Sequence, residues 1–175
     1  MAKKFIILDT ETTGLEVRQG HKIIEIGAVV LNDRKKSSDH FHAYINPGRL
    51  IDEEASKVHG ITNQDLENEP MFAAIADDFI EFIQGSTLII HNAPFDVGFL
   101  NSELKAVSAK YPKLEDICEI EDSLVVARSK FPGQRNSLDA LANRFEVSGY
   151  DRSFHGALLD ANILADVYIF LTGGQ

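Results

Sequence analysis

Among its 175 residues the chain has one cysteine, no tryptophan and two methionines. A lone Cys118 excludes an internal disulfide, fits a reducing compartment and cannot build a thiolate metal site alone. Long apolar runs are also missing. Runs such as residues 5–8, 26–31 and 88–90 are far too short to cross a bilayer. The start, Lys3-Lys4 followed by an apolar stretch, resembles an export signal only until Asp9, so a cytoplasmic protein is expected. Repeats, low-complexity tracts and Pro/Gly-rich linkers are lacking, and one domain over residues 1–175 is expected. Positive charge is scarce: 17 Lys and Arg against 27 Asp and Glu leave −10. That counts against a sequence-reading DNA-binding domain, which is usually basic. It does not count against a metal-dependent enzyme acting on phosphates, where carboxylates gather cations and cations meet phosphate.

What remains, 44% apolar and 25% charged residues, is ordinary globular composition. Residues 5–8 read as a buried strand broken by Thr12-Thr13-Gly14, and 23–31 as a second strand containing Gly27. The polar stretch 32–39 reads as a turn, with its basic run Arg34-Lys35-Lys36 solvated, and the alternating 40–45 as a third strand. Three strands on short turns predict an antiparallel meander. The period then changes. Phe72, Ile75, Ala76, Phe79 and Ile83 mark an amphipathic helix between Pro70 and Gly85. Residues 87–90 form a short buried strand. Residues 95–107 read as a helix with Phe99, Leu100, Leu104 and Val107 inward. Leu138, Leu141, Ala142 and Phe145 mark a helix capped by Ser137, and 156–171 the last helix, stopped by Gly173-Gly174. The sum is an α/β fold: a mixed sheet with helices on both faces.

Carboxylates stand where a core belongs. Asp9 ends a buried strand and Glu11 lies two residues on, on the same side if the chain stays extended. They repel unless a cation lies between them; the alternative is a solvated strand end. Asp96 follows a second strand, in the first turn of a helix, where the helix dipole alone would also stabilise it. Asp160, Leu164, Val167 and Leu171 share one helical stripe, and an ionised carboxylate facing a core is costly unless paired or metal-bound. His155, just before that helix, is either a cap or a member of the same site. Four acids with few nitrogen or sulfur partners suit oxygen-loving Mg²⁺ or Mn²⁺ better than zinc. Two such ions form the usual clamp at a phosphodiester.

The segments Asp9-Thr10-Glu11-Thr12-Thr13-Gly14, Asn92-Ala93-Pro94-Phe95-Asp96 and His155-Gly156-Ala157-Leu158-Leu159-Asp160-Ala161 resemble the three motifs of the DEDDh 3′→5′ exonucleases. The match runs through the whole chain in order and is most similar to the proofreading branch that serves bacterial replicative polymerases. Val58-His59-Gly60-Ile61-Thr62, Asn136-Ser137-Leu138-Asp139-Ala140-Leu141 and Thr172-Gly173-Gly174-Gln175 resemble further segments of that branch. The resemblance implies an RNase H-like fold and release of 5′-mononucleotides from a DNA 3′ end, single-stranded or frayed. It implies two divalent cations, Mg²⁺ or Mn²⁺, held by Asp9, Glu11, Asp96 and Asp160, with Asp9 bridging. It implies His155 as the general base, so that activity rises with pH as the imidazole loses its proton. It implies Glu54 and His59 as contacts to the terminal nucleotide, and a polymerase partner bound through a region beyond Gln175.

Around these motifs, Thr10, Thr12 and Gly14 are expected at the nucleotide, with the backbone N–H groups of Thr12 to Gly14 as donors. Leu15 is either a wedge against the terminal base or a core residue. His91 precedes the second motif and could approach the site. His21, His40 and His42 are assigned surface or strand roles, and Phe131, Phe145 and Phe154 to the core. Three other readings stay open: a ribonuclease trimming RNA 3′ ends, a stand-alone repair exonuclease, and a non-catalytic interaction module.

Overall fold

The computed structural model describes residues 4–151 and 153–173. Lys3, Gly174 and Gln175 lie outside the described residues, so the helix-stopping pair and the 172–175 resemblance are covered only as far as Gly173.

Five strands form one sheet: β1 (Phe5–Thr12), β2 (Ile23–Asn32), β3 (Lys35–Tyr44), β4 (Thr87–Ile90) and β5 (Glu119–Asp122). Their spatial order is β3-β2-β1-β4-β5. β1, β2 and β3 are the expected antiparallel meander, and β4 and β5 continue the sheet parallel to β1. The turn expected over 32–39 shrinks to Asp33 and Arg34, both at positive φ (49° and 70°), a two-residue hairpin turn whose twist matches the strands. Residues 35–39 are instead an exposed edge strand, which tolerates polar side chains on both faces. The basic run is not simply solvated: Lys36 contacts Asp166 at 3.1 Å, and Arg34 bonds Thr172 Oγ1 at 2.9 Å.

The helices are α1 (Glu53–His59), α2 (Phe72–Ile83), α3 (Ala93–Val107), α4 (Leu114–Ile117), α5 (Ser123–Lys130), α6 (Leu138–Arg144) and α7 (Ala157–Gly173). Alternation along β1 divides the core. Ile6 and Leu8 pack with Phe79, Phe99 and Leu100 of α2 and α3, while Ile7 packs with Ala161 and Leu164 of α7 on the other face. The expectation for Val107 fails: it is 36% exposed, because it ends α3 beyond the sheet's cover. No helix among the described residues is long and apolar enough to cross a membrane.

Candidate active site

β1 reaches past the point where β4 stops pairing with it. β4 pairs only with Phe5–Ile7, whereas β1 stays hydrogen-bonded to β2 as far as Thr12. Asp9 and Glu11 therefore share the Ile7 face, under the first turn of α7. Asp160 comes down from that turn, 6% exposed. Ligand oxygens of Asp9, Glu11 and Asp160 all lie within 4.8 Å of one another. Burial pushes the Asp9 carboxyl well above the usual carboxylate range, and the charges of Asp96, Glu11 and Asp160 push it further. Such a cluster fits a divalent cation, which replaces mutual repulsion by shared attraction.

Asp96 approaches from the opposite face, in the first turn of α3. Its Oδ1 accepts the Thr10 hydroxyl at 3.0 Å, and its Oδ2 is buried without a hydrogen bond. Burial raises its carboxyl to about 8; the Thr10 bond opposes the shift and the Asp122 charge adds to it. Asp96 is thus outside the compact triad but is the strongest charge acting on Asp9.

His155 sits two residues before α7, with its backbone N–H on the Val58 carbonyl at 2.9 Å. Its side chain is 37% exposed, and Nε2 lies 3.7 Å from Asp139 Oδ2, beyond hydrogen-bonding distance. The ring thus lies beside the first turn of α6, and His155 is not one of the three residues of the compact acid cluster.

A cleft of about 530 Å³ adjoins the acids. Thr10, Glu11, Thr12, Gly14, Leu15, Glu54 and His59 all line it. Leu15 is 74% exposed, which removes the core alternative. His59 Nδ1 accepts the Ile61 N–H at 3.0 Å, so the neutral ring carries its proton on Nε2, which is buried and faces the Thr12 carbonyl. Burial lowers the His59 pKa, with the Thr12 carbonyl and the Glu25 charge opposing. Glu54 is solvated and contacts Lys57 at 3.2 Å. The Thr13 N–H is already taken by the Lys22 carbonyl at 2.8 Å, so that backbone donor is not free for a nucleotide.

His91 does not reach the cleft. Its Nδ1 meets Ser123 Oγ at 2.9 Å and its Nε2 the Asn136 carbonyl at 2.7 Å, and burial lowers its pKa. Both nitrogens are spent holding β4 to the α5 and α6 entries. Phe154, expected in the core, is 55% exposed and packs on Gly60, because residues 153–156 form a surface strap over the end of α1.

Sequence reasoning missed His21, Asp52 and Glu25. His21 is buried and lines the cleft; Nδ1 accepts the Glu16 N–H at 2.9 Å and Nε2 donates to Asp52 at 2.8 Å. Glu25 interrupts the apolar run Ile23-Ile24-Glu25-Ile26, the same signal that singled out Asp160.

A family model described as Exonuclease (RNase T) matches residues 6–168. The DNA polymerase III subunit epsilon of Escherichia coli (strain K12) is 51% identical over 174 residues, covering 97% of this chain and 72% of that protein. The same subunit of Rickettsia typhi is 54% identical over 170 residues, covering 97% and 74%. Among solved structures, exonuclease X in complex with 5′ overhanging duplex DNA superposes with a TM-score of 0.76 at 27% identity, covering 98% of this chain and 92% of that one. The shared mixed sheet is the RNase H-like exonuclease fold. The chain belongs to the exonuclease (RNase T) family, in the branch of the polymerase III epsilon subunits, the 3′→5′ proofreading exonucleases.

Proposed function

We propose that the chain is one exonuclease domain that removes 5′-mononucleotides from a single-stranded or frayed DNA 3′ end during replication, in the cytoplasm of a bacterium. The observation carrying this reading is the convergence of Asp9, Glu11 and Asp160 within 4.8 Å beside a cleft wide enough for a nucleotide.

Asp9, Glu11 and Asp160, with Asp96 from α3, would hold two divalent ions, Mg²⁺ or Mn²⁺. The hard oxygen donors, the raised Asp9 carboxyl and the unbonded Asp96 Oδ2 all fit that occupancy. When bound, the ions supply countercharge to the scissile phosphate and make an attacking water more acidic. His155, half-exposed at the α7 entry, is the residue that would take up that water's proton on a ring nitrogen. Exposed Leu15 and Val58 present apolar surface on which the terminal base rests, and His59 lines the same cleft beside them. Glu54 contacts the same nucleotide from the cleft rim. A polymerase subunit is the partner that the relatives' name, a polymerase III subunit, supports.

The test compares single-stranded DNA and RNA of equal sequence with Mg²⁺, Mn²⁺ or EDTA and identifies the product. Release of 5′-mononucleotides from DNA, abolished by EDTA, supports the reading. Equal turnover in EDTA removes the metal mechanism, and a strong RNA preference makes the chain a ribonuclease.

A further inference from the structure

We propose that Glu25 is a positioning residue: its carboxylate anchors the N-terminus of α7 to β2 and so sets where Asp160 meets Asp9 and Glu11. The inference rests on the reading of Asp160 as a metal ligand.

Glu25 is 2% exposed and pairs across the strands with Glu11. Its Oε1 accepts the Ala157 N–H at 2.8 Å, and its Oε2 meets His42 Nε2 at 2.7 Å. Ala157 opens α7, so its N–H is one of the four that a helix cannot satisfy internally. Ordinarily a local side chain caps such a group; here the cap comes from a strand 132 positions away. The bond therefore does two things. It satisfies a buried donor, and it docks the helix end to the sheet at one height. His42 holds the other oxygen, and Tyr44 packs edge-on against the His42 ring at 4.8 Å, so the carboxylate cannot swing.

Gly27, two residues on and on the same strand face, completes the seat. A Cβ there would overlap the Leu158 backbone, so α7 lies directly on β2. Asp160 follows three residues after Ala157, with its own N–H on the Gly156 carbonyl at 2.8 Å. A rigid turn thus links the Glu25 anchor to the Asp160 carboxylate. Loss of the anchor leaves helix, sheet and acids in place but loosens their spacing, which is what ion affinity reads.

Three variants of the full chain separate reach from charge. Glu25→Gln keeps the reach and an acceptor oxygen, Glu25→Asp keeps the charge but falls short of Ala157, and Leu171→Ala destabilises α7 at its far end. Mn²⁺ binding is titrated by calorimetry, and kcat and KM are measured on a DNA oligonucleotide. We expect Glu25→Asp to lose about tenfold or more in Mn²⁺ affinity and kcat with KM little changed. Glu25→Gln should stay near wild type. Leu171→Ala should lower the melting temperature alone. Wild-type protein that binds no Mn²⁺ refutes the metal reading itself. Wild-type protein that binds it while Glu25→Asp matches it in affinity and kcat overturns the role of Glu25 alone. If Glu25→Asp does not fold, His42→Ala decides: removing the His42 contact from the second oxygen should weaken Mn²⁺ by about threefold, and unchanged affinity overturns the proposal.

Discussion

The Thr10 hydroxyl donates to Asp96 Oδ1 at 3.0 Å, tying the end of β1 to the first turn of α3 across 86 positions of sequence. It is the one hydrogen bond described for a carboxylate whose other oxygen is buried and unbonded. Thr10→Val keeps the shape and removes the donor. Stability should fall by about 1–3 kcal/mol, and kcat by about 10–100-fold. Urea unfolding and steady-state kinetics measure both, and wild-type kcat would show that Asp96 needs no fixed orientation.

Metal and pH are coupled through the same acids. The Asp96 carboxyl sits at about 8 in the fold against an ordinary 3.8, and Asp9 is raised too. The fold therefore favours their neutral forms. That contribution is complete below pH 3.8 and is lost as pH rises through about 8. Metal-free protein should lose thermal stability across this window. Added Mn²⁺ should raise the melting temperature little near pH 5 and by about 5 °C or more near pH 8. A Mn²⁺ effect independent of pH contradicts this.

Gly14 has no room for a side chain. A Cβ would overlap the His21 ring, which is pinned between the Glu16 N–H and Asp52. Gly14→Ala should cost about 1–3 kcal/mol through overpacking and raise KM for oligonucleotides, while Mn²⁺ affinity stays the same. Calorimetry beside kinetics distinguishes a deformed cleft from a deformed metal site.

Leu15 is exposed, so its removal should leave the fold alone. Leu15→Ala is expected to keep the wild-type melting temperature and raise KM by about tenfold, the scale of losing one base contact. Equal KM values would mean that the terminal base rests elsewhere.

His91→Ala should show the reverse pattern. It deletes two contacts, with Ser123 and with the Asn136 carbonyl, and should lower stability by about 1–3 kcal/mol. Its kcat below the melting transition should stay within about threefold of wild type. A larger loss would place the imidazole in the chemistry.

Much of the fold was legible because its signals are local. Alternation and apolar runs located β1, β2 and β4, and the i, i+3, i+4 spacing located α2 and α7. The short elements escaped: β5 has four residues of which three are acidic, and α1 carries only His59 as a fully buried side chain. Their form is set by what they pack on, not by their own periodicity. Charged residues inside apolar patterns likewise pointed to Asp9 and Asp160. The same test applied to Glu25 would have found it.

Pattern along the chain could nominate the acids because burying a charge leaves a mark on the residues beside it. Distance between them is another matter. That Asp9, Glu11 and Asp160 close to within 4.8 Å, that Asp96 comes in from the opposite face, that His155 turns toward Asp139 and that His91 spends both nitrogens on the α5 and α6 entries all depend on how helices seat on the sheet. Such seating is governed by contacts between residues more than a hundred positions apart, such as Gly27 with Leu158, and no local spacing encodes them.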